Sequence, residues 1–203
     1  MRKFFFLFLL LIGVGVCVSA APKKVPAKKP LPVWKPSPVL VKQLAETSEL
    51  PFGTIRLPRG YELFDFPVPY HLPVSTTLSW AKKSSNGELG HLLLITQIPL
   101  EETGWHKLSL EESLRGYMEG FKNGFENTQR TPATQGLING KRALRTDWNG
   151  THRKSGLRLQ GSIYIMKDAT DSYLIQTMHK NNNLSEQRLA TSAALTFKIQ
   201  SQN

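Results

Sequence analysis

Residues 89–98, LGHLLLITQI, place the tightest limit on the fold. In an extended chain successive side chains point to opposite faces. His91, Leu93, Ile95 and Gln97 then share one face, with Leu92, Leu94, Thr96 and Ile98 on the other. Both faces are largely apolar, so this stretch reads as an inner strand of a sheet covered on each side.

The cover comes from helices. Ser109 and Glu112 have the spacing of a reciprocal capping box, in which the hydroxyl accepts from the Glu112 amide and the carboxylate reaches back. Leu110, Leu114, Tyr117, Met118, Phe121 and Phe125 then recur every three or four residues as one apolar stripe. Gly116, Gly120 and Gly124 form a second row, which reads as a close approach of this helix to its own sheet. Asn183 with Glu186 offers a second helix start before LSEQRLATSAAL.

The stretch GLINGKRALRTDW, residues 136–148, superficially resembles a phosphate-binding loop. Such a loop needs a glycine five residues before Gly140-Lys141, a hydroxyl residue after it and a helix beyond. Here Gln135 and Arg142 hold those positions, and residues 143–148 alternate as a strand does. Asn139-Gly140 is instead expected to be a two-residue hairpin turn.

Further strands fill the remainder. Residues 50–66 read as two short strands punctuated by Pro58 and Gly60, and Asn86-Gly87 is a turn before residue 89. Asn149-Gly150 is expected to open another turn, followed by a strand over 157–167, a turn at 168–171 and a return over 172–178. Leu195, Phe197 and Ile199 alternate at the end. A chain of 203 residues with 40% hydrophobic content buries one full core, so one folded domain is expected, over residues 51–203.

The N-terminus has a different character. Arg2 and Lys3 precede an uncharged apolar run over residues 4–18 and the small-residue pattern Val18-Ser19-Ala20. That order predicts a signal peptide over residues 1–20 and a periplasmic or secreted location; the alternative is a membrane anchor through an uncleaved segment, for which the run is short. Residues 21–50 hold six lysines against Glu46 and Glu49, with prolines at 22, 26, 30, 32, 36 and 38. Fixed φ angles and missing donors argue for a disordered Pro/Lys-rich linker. Its Lys23, Lys24, Lys28, Lys29 and Lys35, with Trp34 as an interfacial anchor, form a candidate surface-attachment tail for an anionic membrane or wall polymer. The net charge of +11 is dispersed, no nucleic-acid-reading motif occurs, and nucleic acid is not an expected partner.

Chemistry is thinly represented. Cys17 is the only cysteine and lies in the leader, so the cleaved chain has no thiol for disulfides, metal ligation or nucleophilic attack. His71, His91, His106, His152 and His179 show no short metal-site spacing, and isolated histidines are more often structural. Glu101-Glu102, Glu111-Glu112, Asp168 and Asp171 offer carboxylates for acid–base work, but a helix start and a turn explain them better. No cofactor, metal or catalytic residue is expected. Candidate partner-binding loops are Trp105-His106-Lys107 and the turn from Asn149 through His152, Arg153 and Lys154.

The order of FGTIRLPRGY, the capped SLEESLRGYMEGF, GLINGKRALR, SYLIQTM and AALTFKI resembles the PsbP/DcrB-like domains, a group that includes the Ran-binding Mog-type proteins. The resemblance covers residues 51–200 and implies an α+β fold, an α/β/α sandwich about an antiparallel sheet. It also implies a non-catalytic domain that binds a protein or cell-envelope partner. A small-ligand binder or hydrolase with a pocket between sheet and helix is the alternative.

Overall fold

In the computed structural model the described residues are 30–65, 74–83, 89–180 and 183–200. The elements run α1 (Pro38–Val41), β1 (Leu44–Leu50), β2 (Gly53–Pro58), β3 (Glu62–Leu63), β4 (Thr76–Lys83), β5 (Leu89–Pro99), α2 (Leu100–Thr103), α3 (Leu110–Phe121), β6 (Phe125–Arg130), β7 (Thr134–Ile138), β8 (Lys141–His152), β9 (Arg158–Lys167), β10 (Asp171–Lys180), α4 (Leu184–Ala194) and β11 (Lys198–Ile199). A 3-10 turn, Trp105–Lys107, joins α2 to α3.

An antiparallel sheet in the order β3-β4-β5-β10-β9-β8-β6 forms the middle layer, with β7 pairing the first half of β8. β5 is an inner strand, as its two apolar faces require. Leu93 and Ile95 join one cluster with Tyr164 and Ile175 and the α4 side chains Leu189 and Ala193. Leu92 and Leu94 join the opposite cluster, against Leu114, Tyr117, Met118 and Phe121 of α3. One helix therefore covers each face. On the α4 face, β1, β2 and β11 add a small sheet whose Phe52 and Ile55 fill the same cluster.

The capping box at Ser109 forms: the hydroxyl accepts from the Glu112 amide at 3.1 Å, and Glu112 accepts from the Ser109 amide at 2.8 Å. Asn183 caps α4 in the same manner, accepting from the Glu186 amide. Asn139 and Gly140 sit at φ 47° and 80°, the conformation a two-residue hairpin demands, and Ile138 pairs with Lys141.

Four expectations are corrected. Phe125 belongs to β6, not to the helix; the chain turns at Asn123-Gly124 and returns Phe125 to stack on Phe121 at 4.3 Å. Gly116 does not seat α3 on the sheet: it is exposed, with no atom within 4 Å of where a Cβ would stand, Gly124 lies beyond the helix end, and large side chains make the contact. Asn149-Gly150 is no turn, because β8 runs on to His152 and the chain reverses over residues 153–156. Gly150 accommodates an irregularity in β6, since a Cβ would approach Thr128 Cγ2 at 2.9 Å where the β6–β8 register shifts.

The fourth correction concerns the disordered linker. The described residues from 31 onward belong to one compact unit, so residues 31–50 of the 21–50 segment are folded. Pro38 sits in the first turn of α1, where its missing amide costs nothing, and β1 pairs with β2 through Leu44 and Leu50, its two buried residues. Residues 1–29, and the expected Asn86-Gly87 turn, lie outside the described residues. No described helix is long and apolar enough to cross a membrane.

Candidate functional site

Pro32 to Trp34 lie along the free edge of β7. The Leu137 amide donates to the Pro32 carbonyl and the Trp34 amide to the Leu137 carbonyl, both at 2.9 Å, in a parallel bridge. The Trp34 indole rests on Gly136, where a Cβ would come within 2.4 Å of Cε2, and meets the Tyr164 ring edge-on at 6.1 Å. Proline suits this edge position because its missing donor is not needed there. Trp34, read as a surface anchor, is thus half-buried against the sheet.

Between this strap and α4 runs an open trough of about 770 Å³. Leu40, Leu195 and Trp34 are its more buried apolar lining, while Val33 and Val39 are 55% and 70% exposed at its margin. Its charged lining residues are Lys35, Arg145 and Arg188, with no carboxylate among them. Arg145 is held by a bidentate pair with Asp147 at 2.9 and 3.2 Å, and lies over the Tyr164 ring. Burial pushes the Tyr164 hydroxyl up from its ordinary pKa. Lys35 and Arg188 are exposed and make no ion pair among the described residues.

A second concentration of polar groups lies where α4 begins. His91 and His179 stand directly opposite each other on β5 and β10, Lys82 is opposite His91 on β4, and Lys82 pairs with Glu186 of α4 at 2.9 Å. His179 is 1% exposed and neither ring nitrogen has a partner among the described residues; His91 Nδ1, Tyr61 Oη and Glu186 Oε2 are likewise buried and unpartnered. Burial, with His91 nearby, drives the His179 pKa down to about 4. Burial lowers His91 as well, with Lys82 adding to the effect and Glu186 opposing it. Burial and the Glu186 carboxylate together raise Tyr61. No group of three or more His, Cys, Asp or Glu able to hold a metal occurs among the described residues. Reading the histidines one by one missed this corner. The signal was available only through strand register, which pairs positions 91 and 179.

The loop residues singled out by sequence are dispersed. Trp105 packs on the α3-side cluster, and its carbonyl accepts from Lys167 Nζ at 2.8 Å; His106 Nδ1 lies 3.2 Å from the Leu100 carbonyl; Lys107 is exposed. Lys167 loses some basicity to burial, with Glu112 opposing. Asn149 and His152 are strand residues of β8, Arg153 donates to the Lys122 carbonyl and pairs with Glu126 at 3.6 Å, and Lys154 is exposed. The structure does not bring the two loops together with the trough. Lys23, Lys24, Lys28 and Lys29 lie outside the described residues. The carboxylates serve local structure: Glu112 caps α3, and Asp168 accepts from the Thr170 and Asp171 amides and from the Tyr173 hydroxyl. Beneath α3, where a ligand pocket was the alternative expectation, Leu114, Met118 and Phe121 pack directly on the sheet.

No protein-family model matches the sequence, and comparison with curated proteins finds no relative. Solved structures do match. The Saccharomyces cerevisiae Ran-binding protein Mog1p aligns with 76% of this chain and 94% of its own, at 10% identity and a TM-score of 0.51. A Pseudomonas aeruginosa protein of unknown function aligns with 79% of this chain and 99% of its own, at 9% identity and a TM-score of 0.49. At such identities the likeness concerns the fold, and in its mostly antiparallel sheet with flanking helices this chain has the Mog-type fold that its sequence resembles.

Proposed function

We propose that this chain is an exported, non-catalytic accessory domain that binds a protein partner through the trough between its N-terminal strap and α4. The observation that carries this reading is the pairing of an apolar lining with cations that make no ion pair among the described residues: Val33 and Val39 exposed beside Lys35 and Arg188. Exposed apolar side chains grouped with basic ones characterise interaction surfaces, not random surface. The Ran-binding described for Mog1p is consistent with a protein partner.

Export rests on Arg2-Lys3, the apolar run and the Ala20 cleavage pattern. Fractionation followed by N-terminal sequencing tests it; recovery of uncleaved chain in the cytoplasm would refute it, and uncleaved chain in the membrane fraction would favour anchoring. A photo-crosslinking residue at Val39 should capture a partner that the same probe at Lys154 does not. Equal capture at both positions defeats the trough. Contact of the lysine tail with an anionic envelope surface is tested by a low-salt wash of a chain lacking residues 21–30.

A second reading has one observation in its favour. The unpartnered polar atoms of Tyr61, His91, His179 and Glu186 lie between the sheet and α4, as a small polar ligand would need. Imidazole NMR shifts of the two histidines during a fragment screen decide it: shifts confined to these rings support a ligand site, and none in the screen removes it.

A further inference from the structure

The trough carries its own indication of what occupies it. Five apolar side chains, Val33, Trp34, Val39, Leu40 and Leu195, line a hollow of about 770 Å³, and every charged side chain there is a cation. The three cations are not equivalent. Arg145 is committed to Asp147 and to the Tyr164 face, so its charge is largely answered within the fold. Lys35 stands on the strap and Arg188 on α4, so positive charge that no carboxylate answers among the described residues comes from the two walls. The strap cannot easily swing away, because the Leu137–Pro32 and Trp34–Leu137 hydrogen bonds fix it to β7 and the indole is seated on Gly136. The walls are held apart by folded structure, which favours binding without a large ordering cost.

Resting on the protein-binding reading above, we infer that the trough takes an acidic segment of a partner protein, with a large apolar side chain against Trp34 and Leu40 and carboxylates at Lys35 and Arg188. Each exposed charge pair contributes little alone, so the apolar contact supplies most of the affinity and the carboxylates supply selection. An anionic polymer without apolar groups meets only half of this surface. A basic segment is repelled from both walls.

The test uses the mature protein, ¹⁵N-labelled, titrated with a short blocked peptide alternating glutamate with leucine and phenylalanine. Parallel arms use its glutamine counterpart, its lysine counterpart and dextran sulfate. The acidic peptide should shift the Trp34 indole N–H signal, identified by its loss in Trp34→Phe. It should bind roughly tenfold more weakly to the double variant Lys35→Glu, Arg188→Glu, and lose a similar factor between about 50 and about 500 mM salt. Val39→Ser, at a position 70% exposed and therefore harmless to folding, should weaken the acidic and glutamine peptides alike.

If the glutamine peptide binds as tightly and the double variant makes no difference, the acidic partner is overturned while the trough as a protein site survives. If dextran sulfate matches the acidic peptide at the Trp34 signal and Val39→Ser has no effect, the occupant is a charged polymer and the inference fails. If no peptide moves the Trp34 signal, the inference and the protein-binding reading of this surface fall together.

Discussion

Gly136 and Trp34 form a seat and its occupant: the glycine lacks the one carbon that would collide with the indole, which approaches to 2.4 Å of that Cβ position. This contact, with the hydrogen bonds of Leu137 to Pro32 and Trp34, attaches the strap to the sheet.

Gly136→Ala should therefore displace the strap. Gly136 is buried, and overpacking of this kind costs about 1–3 kcal/mol. Thermal melts should show the loss, and the Trp34 indole signal should move. A variant with wild-type stability and an unmoved Trp34 signal would contradict the seat.

Gly116→Ala should act in the opposite direction. The position is exposed in the middle of α3 with open space around it, and replacing a helical glycine with alanine stabilises by up to about 1 kcal/mol. A raised midpoint in urea is expected. A lowered one would restore the idea that the glycine row packs against something.

The Ser109 hydroxyl should be worth about 1 kcal/mol to α3, the usual value of an N-cap. Ser109→Ala should lower the melting temperature, and Ser109→Asp should recover most of the loss because a carboxylate also accepts from the Glu112 amide. Glu112 has its pKa held below the ordinary value by the Ser109 amide first and the Ser109 hydroxyl second, so ¹³C-detected titration of its carboxyl should show a partial rise towards normal in Ser109→Ala, where the hydroxyl is lost and the amide remains.

Acid should weaken the fold through His179. Its folded pKa of about 4 lies below the ordinary 6.5, so the unfolded chain binds a proton that the folded chain refuses. The stabilising contribution is complete above 6.5 and disappears as pH falls from there to about 4, by on the order of 1–3 kcal/mol. Burial and the neighbouring His91 oppose a positive charge on His179, and His91 in turn is disfavoured as a cation by burial and Lys82 and favoured by Glu186. Denaturant melts across that window should show a steeper decline for the wild type than for His179→Leu. Parallel curves would exclude this histidine as the cause.

Local chemistry made much of the fold legible. The Ser109 and Asn183 caps, the Asn139-Gly140 turn and the two apolar faces of β5 each depend on residues near one another in sequence, where spacing alone carries the physical constraint. The same local reasoning failed at β1, LAETSEL, because only Leu44 and Leu50 are buried and an edge strand with so little apolar content has no alternation to read. It failed at Asn149-Gly150 because a glycine that opens a turn and one that relieves a bulge look alike until the partner strand is known.

The candidate site was legible only in its ingredients. The sequence by itself determined a basic, proline-rich approach to a two-faced sheet with capped helices, since periodicity and capping are properties of short stretches. Where a trough stays open beside α4, that Trp34 lies on Gly136 over a hundred positions away, and that His91 meets His179 were decided by tertiary structure alone. Strand register and the closing of long loops set those contacts, and both are collective results of packing a whole core, with no imprint on any single segment.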